Sequence, residues 1–227
     1  MNRIYRYLPI LLLLSCVPLA RAQGSFDVAV GFGTQRVKAT GYGIDEDTLY
    51  QCTPSSSSTT CLGTPAMDGM FMGFTGDFML NKHLGAGAEI NFQPSKPGYG
   101  PLLYRQLFYD FDGLYVPINH KRYALRLEGG IGGAHTGFSY LETECVGVAV
   151  CQSSAESVGA ASHFQVHLAG AVQIYVKEHF YIRPQFDFRL VPGLSATYNP
   201  AATQNYQFGA NHVIGGTIWF GYNFGEM

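Results

Sequence analysis

The stretch SHFQVHLAGAVQIYVKEHFYIRPQFDFRL, residues 162–190, decides the fold, because it pairs with itself as one antiparallel hairpin. Phe164, Val166, Leu168, Gly170, Val172, Ile174 and Val176 alternate with His163, Gln165, His167, Ala169, Ala171, Gln173 and Tyr175, the period of two that a strand requires. Beyond Lys177-Glu178-His179 the alternation resumes, with Phe180, Ile182, Pro184, Phe186, Phe188 and Leu190 against Tyr181, Arg183, Gln185, Asp187 and Arg189. Folding the chain at Glu178 sets Val176 opposite Phe180, Leu168 opposite Phe188, Gln173 opposite Arg183 and His167 opposite Arg189. One face is then aliphatic and aromatic, and the other carries the charges. A soluble sandwich with a wet polar face accepts such a hairpin, and so does a barrel whose apolar face meets lipid.

Two more hairpins of the same construction favour the barrel. Met70, Met72, Phe74, Phe78 and Leu80 lead to a turn at Asn81-Lys82-His83, and Leu84, Ala86, Ala88, Ile90 and Phe92 return from it, leaving Asp77, Glu89 and Asn91 on the polar row. In the next, Leu103, Leu107, Tyr109, Phe111, Gly113 and Tyr115 rise to a turn at Pro117 to Lys121, and Tyr123, Leu125, Leu127, Gly129 and Ile131 come back. Pairing about Asn119 sets Asp112 beside Arg126. A first strand from Ser25 to Val37 and a last one through Ile214, Ile218, Phe220, Tyr222 and Phe224 bring the number to eight. Four long segments, at about 38–66, 94–101, 137–161 and 191–210, alternate with three tight turns. The expected fold is all-β, an eight-stranded antiparallel up-and-down transmembrane barrel, since about 9–11 tilted residues cross a bilayer. Closure also removes the strand edges that lipid cannot solvate.

The amino terminus reads as a secretory signal over residues 1–22. Arg3 and Arg6 precede the apolar run Leu8 to Leu14, and Ala20-Arg21-Ala22 forms a small-x-small site before Gln23. Leu13-Leu14-Ser15-Cys16 offers a second reading, acylation at Cys16. Residues 23–227 then form one outer-membrane barrel domain, and the loss of Arg3, Arg6 and Arg21 takes the formal charge from −2 to −5. That balance excludes a nucleic-acid partner. An exported chain meets an oxidising compartment, where cysteines pair. Cys52 with Cys61 and Cys145 with Cys151 are the favoured disulfides, because each closes a short loop, although four cysteines allow three connectivities.

The polar row of the barrel points inward, into a volume that side chains can fill. Asp77, Glu89, Asp110, Asp112, Arg126, Glu128, His163, His167, Arg183, Asp187 and Arg189 form its expected interior network. Opposite charges there should pair, and the surplus carboxyls need protons, water or a cation. His163 and His167 could in principle hold a metal or act as a base, but no motif supplies partners, so no cofactor, metal or catalytic role is assigned to either. Ser162 precedes His163, which turns the two side chains to opposite faces. Arg105 faces lipid near the outer end of its strand, where snorkelling is favoured over a contact with lipopolysaccharide phosphates. Pro184 lacks an N–H, and a local bulge is expected there.

Phe78, Tyr115, Tyr123, Phe180, Phe220, Tyr222 and Phe224 gather at the turn side, as an interfacial girdle would. With its eight strands and aromatic-ended last strand, the chain resembles the small eight-stranded outer-membrane barrels grouped with the OmpA transmembrane domain and OmpX. The resemblance implies a monomer in the bacterial outer membrane that contacts its lipid and lipopolysaccharide. Phe220, Tyr222 and Phe224 would be the signal read by the barrel-assembly machinery. Trp219 departs from that pattern, standing where such signals commonly have Gly, as does Gly225-Glu226-Met227 after the final aromatic. The expected function is structural or surface-interaction, adhesion or binding of an extracellular ligand through the long loops, without enzymatic activity. The alternatives are a channel or transporter for small apolar molecules and, third, a lipid A-modifying enzyme.

Overall fold

The computed structural model describes residues 24–37, 43–45, 47, 51–54, 59–63, 66, 68–100, 102–146, 150–192, 195–197, 205–207 and 212–225. The leader and Cys16 lie outside them. Eight long strands make the wall: β1 Ser25–Val37, β2 Met70–Met79, β3 Leu84–Phe92, β4 Leu102–Asn119, β5 Tyr123–Val146, β6 Val150–Tyr175, β7 Phe180–Leu190 and β8 His212–Asn223. Each pairs antiparallel with its neighbours in sequence, and β1 pairs with β8 to close the barrel. No helix occurs among the described residues.

The first and last of the three hairpins have the expected registers. Met72 lies opposite Phe92 and Phe78 opposite Ala86, a fold about Lys82. Leu168 lies opposite Phe188 and His167 opposite Arg189, a fold about Glu178.

Three expectations need correction. Asp112 lies opposite Gly130, not Arg126, because β4 runs on through Pro117 to Asn119 and the turn closes between His120 and Tyr123; β4 also carries one extra residue between Tyr115 and Ile118. A bulge there suits Pro117, which has no N–H to give the ladder. Pro184, by contrast, causes no bulge. Its β8 pairing is continuous through Pro184↔Ile218, and on the β6 side Ala171↔Gln185 and Ile174↔Ile182 share one register across the interruption. Successive residues of an antiparallel ladder bond alternately to the two neighbours, so one proline removes a bond from one side only.

The third correction concerns 137–161, expected as a long loop, of which residues 137–146 and 150–161 are strand. Beyond Tyr140, where β5 still pairs with Leu102 of β4, β5 and β6 continue as a two-stranded arm to Val146↔Val150. At about 3.4 Å per residue the arm reaches about 20 Å past that point. Smaller β structures occur in two other long segments. Gly43–Asp45 pairs with Gln51–Cys52 and Cys61–Gly63, and Ser195–Thr197 pairs with Asn205–Gln207.

The barrel is inverted relative to a soluble protein. Phe111 is 65 % exposed while Asp110 beside it is 1 % exposed, and the same alternation runs through Phe164, Ile131, Phe186 and Leu168 on the outside. Lipid contact is the condition under which such a surface is stable. Inside, the charged row is capped at both ends. Val37, Phe71, Leu102, Tyr104, Phe108 and Phe138 belong to an apolar cluster at the loop end, and Met79, Leu114, Val116 and Ala124 form another at the turn end.

Glycines on the inward row make room for the largest interior groups. Trp219 is fully buried, and a Cβ built on either Gly31 or Gly73 would run into its indole. Its departure from the usual terminal-strand pattern is thus a packing choice. The Tyr181 ring likewise lies across Gly221. Gly31→Ala should therefore destabilise the barrel by roughly 1–3 kcal/mol in equilibrium urea unfolding. In Gly31→Ala/Trp219→Leu the two losses should fall short of their sum.

Candidate functional site

The interior charges come from strands whose inward parity the alternation sets, so each carboxylate or guanidinium enters the lumen from the wall rather than from a loop. They assemble in two storeys. In the storey nearer the turns, Arg126 on β5 reaches three acids: Asp27 at 3.1 Å, Asp77 at 2.6 Å and Glu128 at 3.3 Å. Its Nη1 also donates to Gln173 at 3.0 Å. Arg183 on β7 shares Asp77 at 2.8 Å and lies over the Trp219 ring, 5.5 Å from the centroid. Asn223 donates to Asp27, and Thr75 to Asp77.

The upper storey is centred on His167 and Arg189. Imidazole Nδ1 lies 3.0 Å from Asp112 and Nε2 lies 3.3 Å from Asp187, so two carboxylates clamp the ring. Arg189 binds Glu89 at 2.7 Å and Asp110 at 3.1 Å, and its guanidinium stacks over Phe108 at 5.5 Å. Gln185 bridges Glu89 and Asp187, Thr217 donates to Asp187, and Gln165 donates to Asp110. Gly130, opposite Asp112, carries no Cβ that would meet that carboxylate.

These ion pairs and hydrogen bonds join ten of the eleven residues named from the sequence. His163 faces the same way, half-buried at the rim above the clamped His167. Asp27 was not expected. Its parity on β1, two residues before buried Ala29, was the available signal. The buried amides Gln165, Gln173 and Gln185 also contribute, and a barrel interior gives an uncharged glutamine as much to bond as an arginine.

Glu89, His167 and Asp187 each present one possible metal-ligand atom, all within 4.8 Å of one another. Arg189 already contacts Glu89 and lies 3.9 Å from Asp187, so a positive charge occupies that position and the set works as an ion-pair cluster. Burial between the two apolar caps further separates these groups from any substrate in solution.

The outer surface near the loop end carries a second set of polar groups. Ser162 lies opposite His135, and His135 Nδ1 and Ser162 Oγ are 2.9 Å apart. Sequence adjacency with His163 concealed this cross-strand partner. Among the described hydrogen bonds none joins His135 to a carboxylate, as a nucleophile–base–acid arrangement would need. Nearby, Lys96 Nζ donates to Ser139 at 3.2 Å and Arg105 Nε to the Gln93 carbonyl at 3.0 Å.

The expected disulfides stand differently. Cys52–Cys61 is formed, with Cα atoms 5.9 Å apart. Cys145 and Cys151 are direct partners in the β5–β6 ladder, while their side chains lie outside the described set. Phe220 and Phe224 point outward, and Tyr222 packs between Phe180 and Phe224 at 4.9 and 4.8 Å. The turn-side girdle is thus present.

No family model matches the chain, and no curated protein matches it. Solved structures do. A major outer membrane protein from Thermus thermophilus superposes with a TM-score of 0.54 at 10 % identity, covering 88 % of this chain and 99 % of that one. OprG from Pseudomonas aeruginosa gives 0.51 at 14 % identity, covering 90 % and 97 %. Neisserial surface protein A gives 0.50 at 8 % identity, covering 87 % and 95 %. The chain has the fold of these small eight-stranded outer-membrane barrels.

Arg126→Met would leave buried Asp27 without a cation, and Asp77 and Glu128 with Arg183 alone, and should cost about 3–5 kcal/mol in urea unfolding from lipid vesicles. Arg36→Met, at an exposed site, should cost under about 1 kcal/mol.

Proposed function

We propose that the protein is exported by its leader and inserted as a monomeric outer-membrane barrel by the assembly machinery, with Phe220, Tyr222 and Phe224 as the recognition signal. The three tight turns then face the periplasm and the long segments face outward. Its role is non-enzymatic: the wall holds a structured surface at which the protein binds an extracellular partner.

The observation that carries this reading is the β5–β6 arm. β5 and β6 run 24 and 26 residues, whereas β7 and β8, which complete the same wall, run 11 and 12. The surplus is laddered as far as Val146↔Val150, with Cys145 opposite Cys151. A Cys145–Cys151 bond would staple that ladder. A paired arm presents side chains at a smaller ordering cost than an open loop of the same length. The Cys52–Cys61 bond restrains the 43–63 segment in the same sense. The filled lumen, capped at both ends, favours this reading over passage of a solute.

Removal of residues 141–155, with Tyr140 joined to Glu156 through Asn-Gly, keeps the wall and deletes the arm. Surface capture of a host-cell or matrix partner by cells displaying the protein should then drop to the level of cells lacking it. Retained capture by the armless protein, folded as judged by heat-modifiable migration, would exclude the arm as the binding element.

A further inference from the structure

The polar groups outside the barrel near the loop end flank one glycine. On the outward rows of β4, β5 and β6, Arg105 lies opposite Gly137, which lies opposite Ala160. One step further out Leu103 faces Ser139, and one step in Leu107, His135 and Ser162 form a row. The next row inward is Tyr109, Gly133 and Phe164, with Phe111, Ile131 and Val166 beyond it. Gly137 therefore stands where the apolar belt gives way to charge.

The space over Gly137 is open. Among the described residues, a Cβ built there meets only His135 Nε2, at 3.9 Å. His135 Nδ1 is engaged by Ser162, which fixes the ring with Nε2 beside that space. Arg105 donates Nε to the Gln93 carbonyl and holds its guanidinium over the Phe92 ring, 6.0 Å from the centroid, on the β3 side of the recess; its terminal nitrogens make no hydrogen bond to any described residue. Lys96 reaches over from the preceding segment to Ser139 and brings a second cation to the upper edge. The result is a shallow recess with a bare floor, two cations, an oriented imidazole and two hydroxyls.

We infer that this recess, formed by Lys96, Arg105, His135, Ser139 and Ser162 around Gly137, binds the phosphate of an outer-leaflet lipid headgroup. Arginine and lysine recognise phosphate through charge-assisted hydrogen bonds. Depth selects the source: the lipid's acyl chains would lie along Tyr109, Phe164 and Ile131 while its phosphate meets the cations. Snorkelling explains a lone Arg105, but not the oriented histidine and the uncovered glycine beside it. The inference rests on the outward orientation of the loop end proposed above. Cell-surface labelling tests that orientation, and the binding experiment below is independent of it.

Native mass spectrometry of the protein in detergent micelles, titrated with lipid A bearing both phosphates and with the same lipid A dephosphorylated, reads the site directly. The wild type should hold the phosphorylated form at least about tenfold more tightly, the scale of one charge-assisted contact. Lys96→Gln/Arg105→Gln should abolish that preference by removing charge. Gly137→Leu should abolish it by filling the floor with every charge retained. Both variants should keep heat-modifiable migration, and millimolar inorganic phosphate should not displace the lipid. Equal binding of the two lipid forms by the wild type, or an undiminished preference in the two folded variants, would overturn the site. Displacement by inorganic phosphate would overturn the lipid assignment in favour of a free anion.

Discussion

Charge buried inside a narrow closed wall is the constraint on which the rest of the structure depends. Among the described residues, seven carboxylates, three guanidiniums and one imidazole project into a space that eight strands barely open. An isolated charge there would lose several kcal/mol of hydration. Each arginine therefore touches at least two acids, and His167 is clamped between two more. Because the partners sit on strands far apart in sequence, Asp27 with Arg126 and Glu89 with Arg189, the pairs tie opposite walls together.

That requirement shapes the packing around it. Trp219, Tyr181 and the Asp77 and Asp112 carboxylates lie over inward glycines, since a second layer of side chains has no room. Apolar clusters at both ends keep water from screening the ion pairs, and lipid covers the outward aromatics. A wall tied in this way is a rigid base. The β5–β6 arm and the outer recess at Gly137 both depend on it for position.

Much of this was legible in the sequence because parity is local. A period of two assigns each side chain to lumen or lipid without knowledge of its partner, and ten interior residues followed from it. Register was legible only where a turn was symmetric. The middle turn falls beyond Asn119, which moved Asp112 from Arg126 to Gly130 without changing its face, and no alternation reports a shift by an even number of residues. Pro184 drew more suspicion than it merited, because one missing N–H affects one neighbour. The arm was hidden by Ser153, Ser154 and Ser157, whose small polar side chains carry no contrast between faces, and by Gly159, which has no side chain. The recess was hidden for a different reason: Arg105, His135 and Ser162 meet through two registers, which are properties of the pairing.

The most direct measurement of the charged, closed interior is single-channel recording of the purified protein in planar bilayers. Ion pairs spanning the lumen, sealed by the two apolar caps, predict no stable conductance steps across the range of applied voltage. Large, long-lived steps from the folded wild-type protein would contradict a filled barrel.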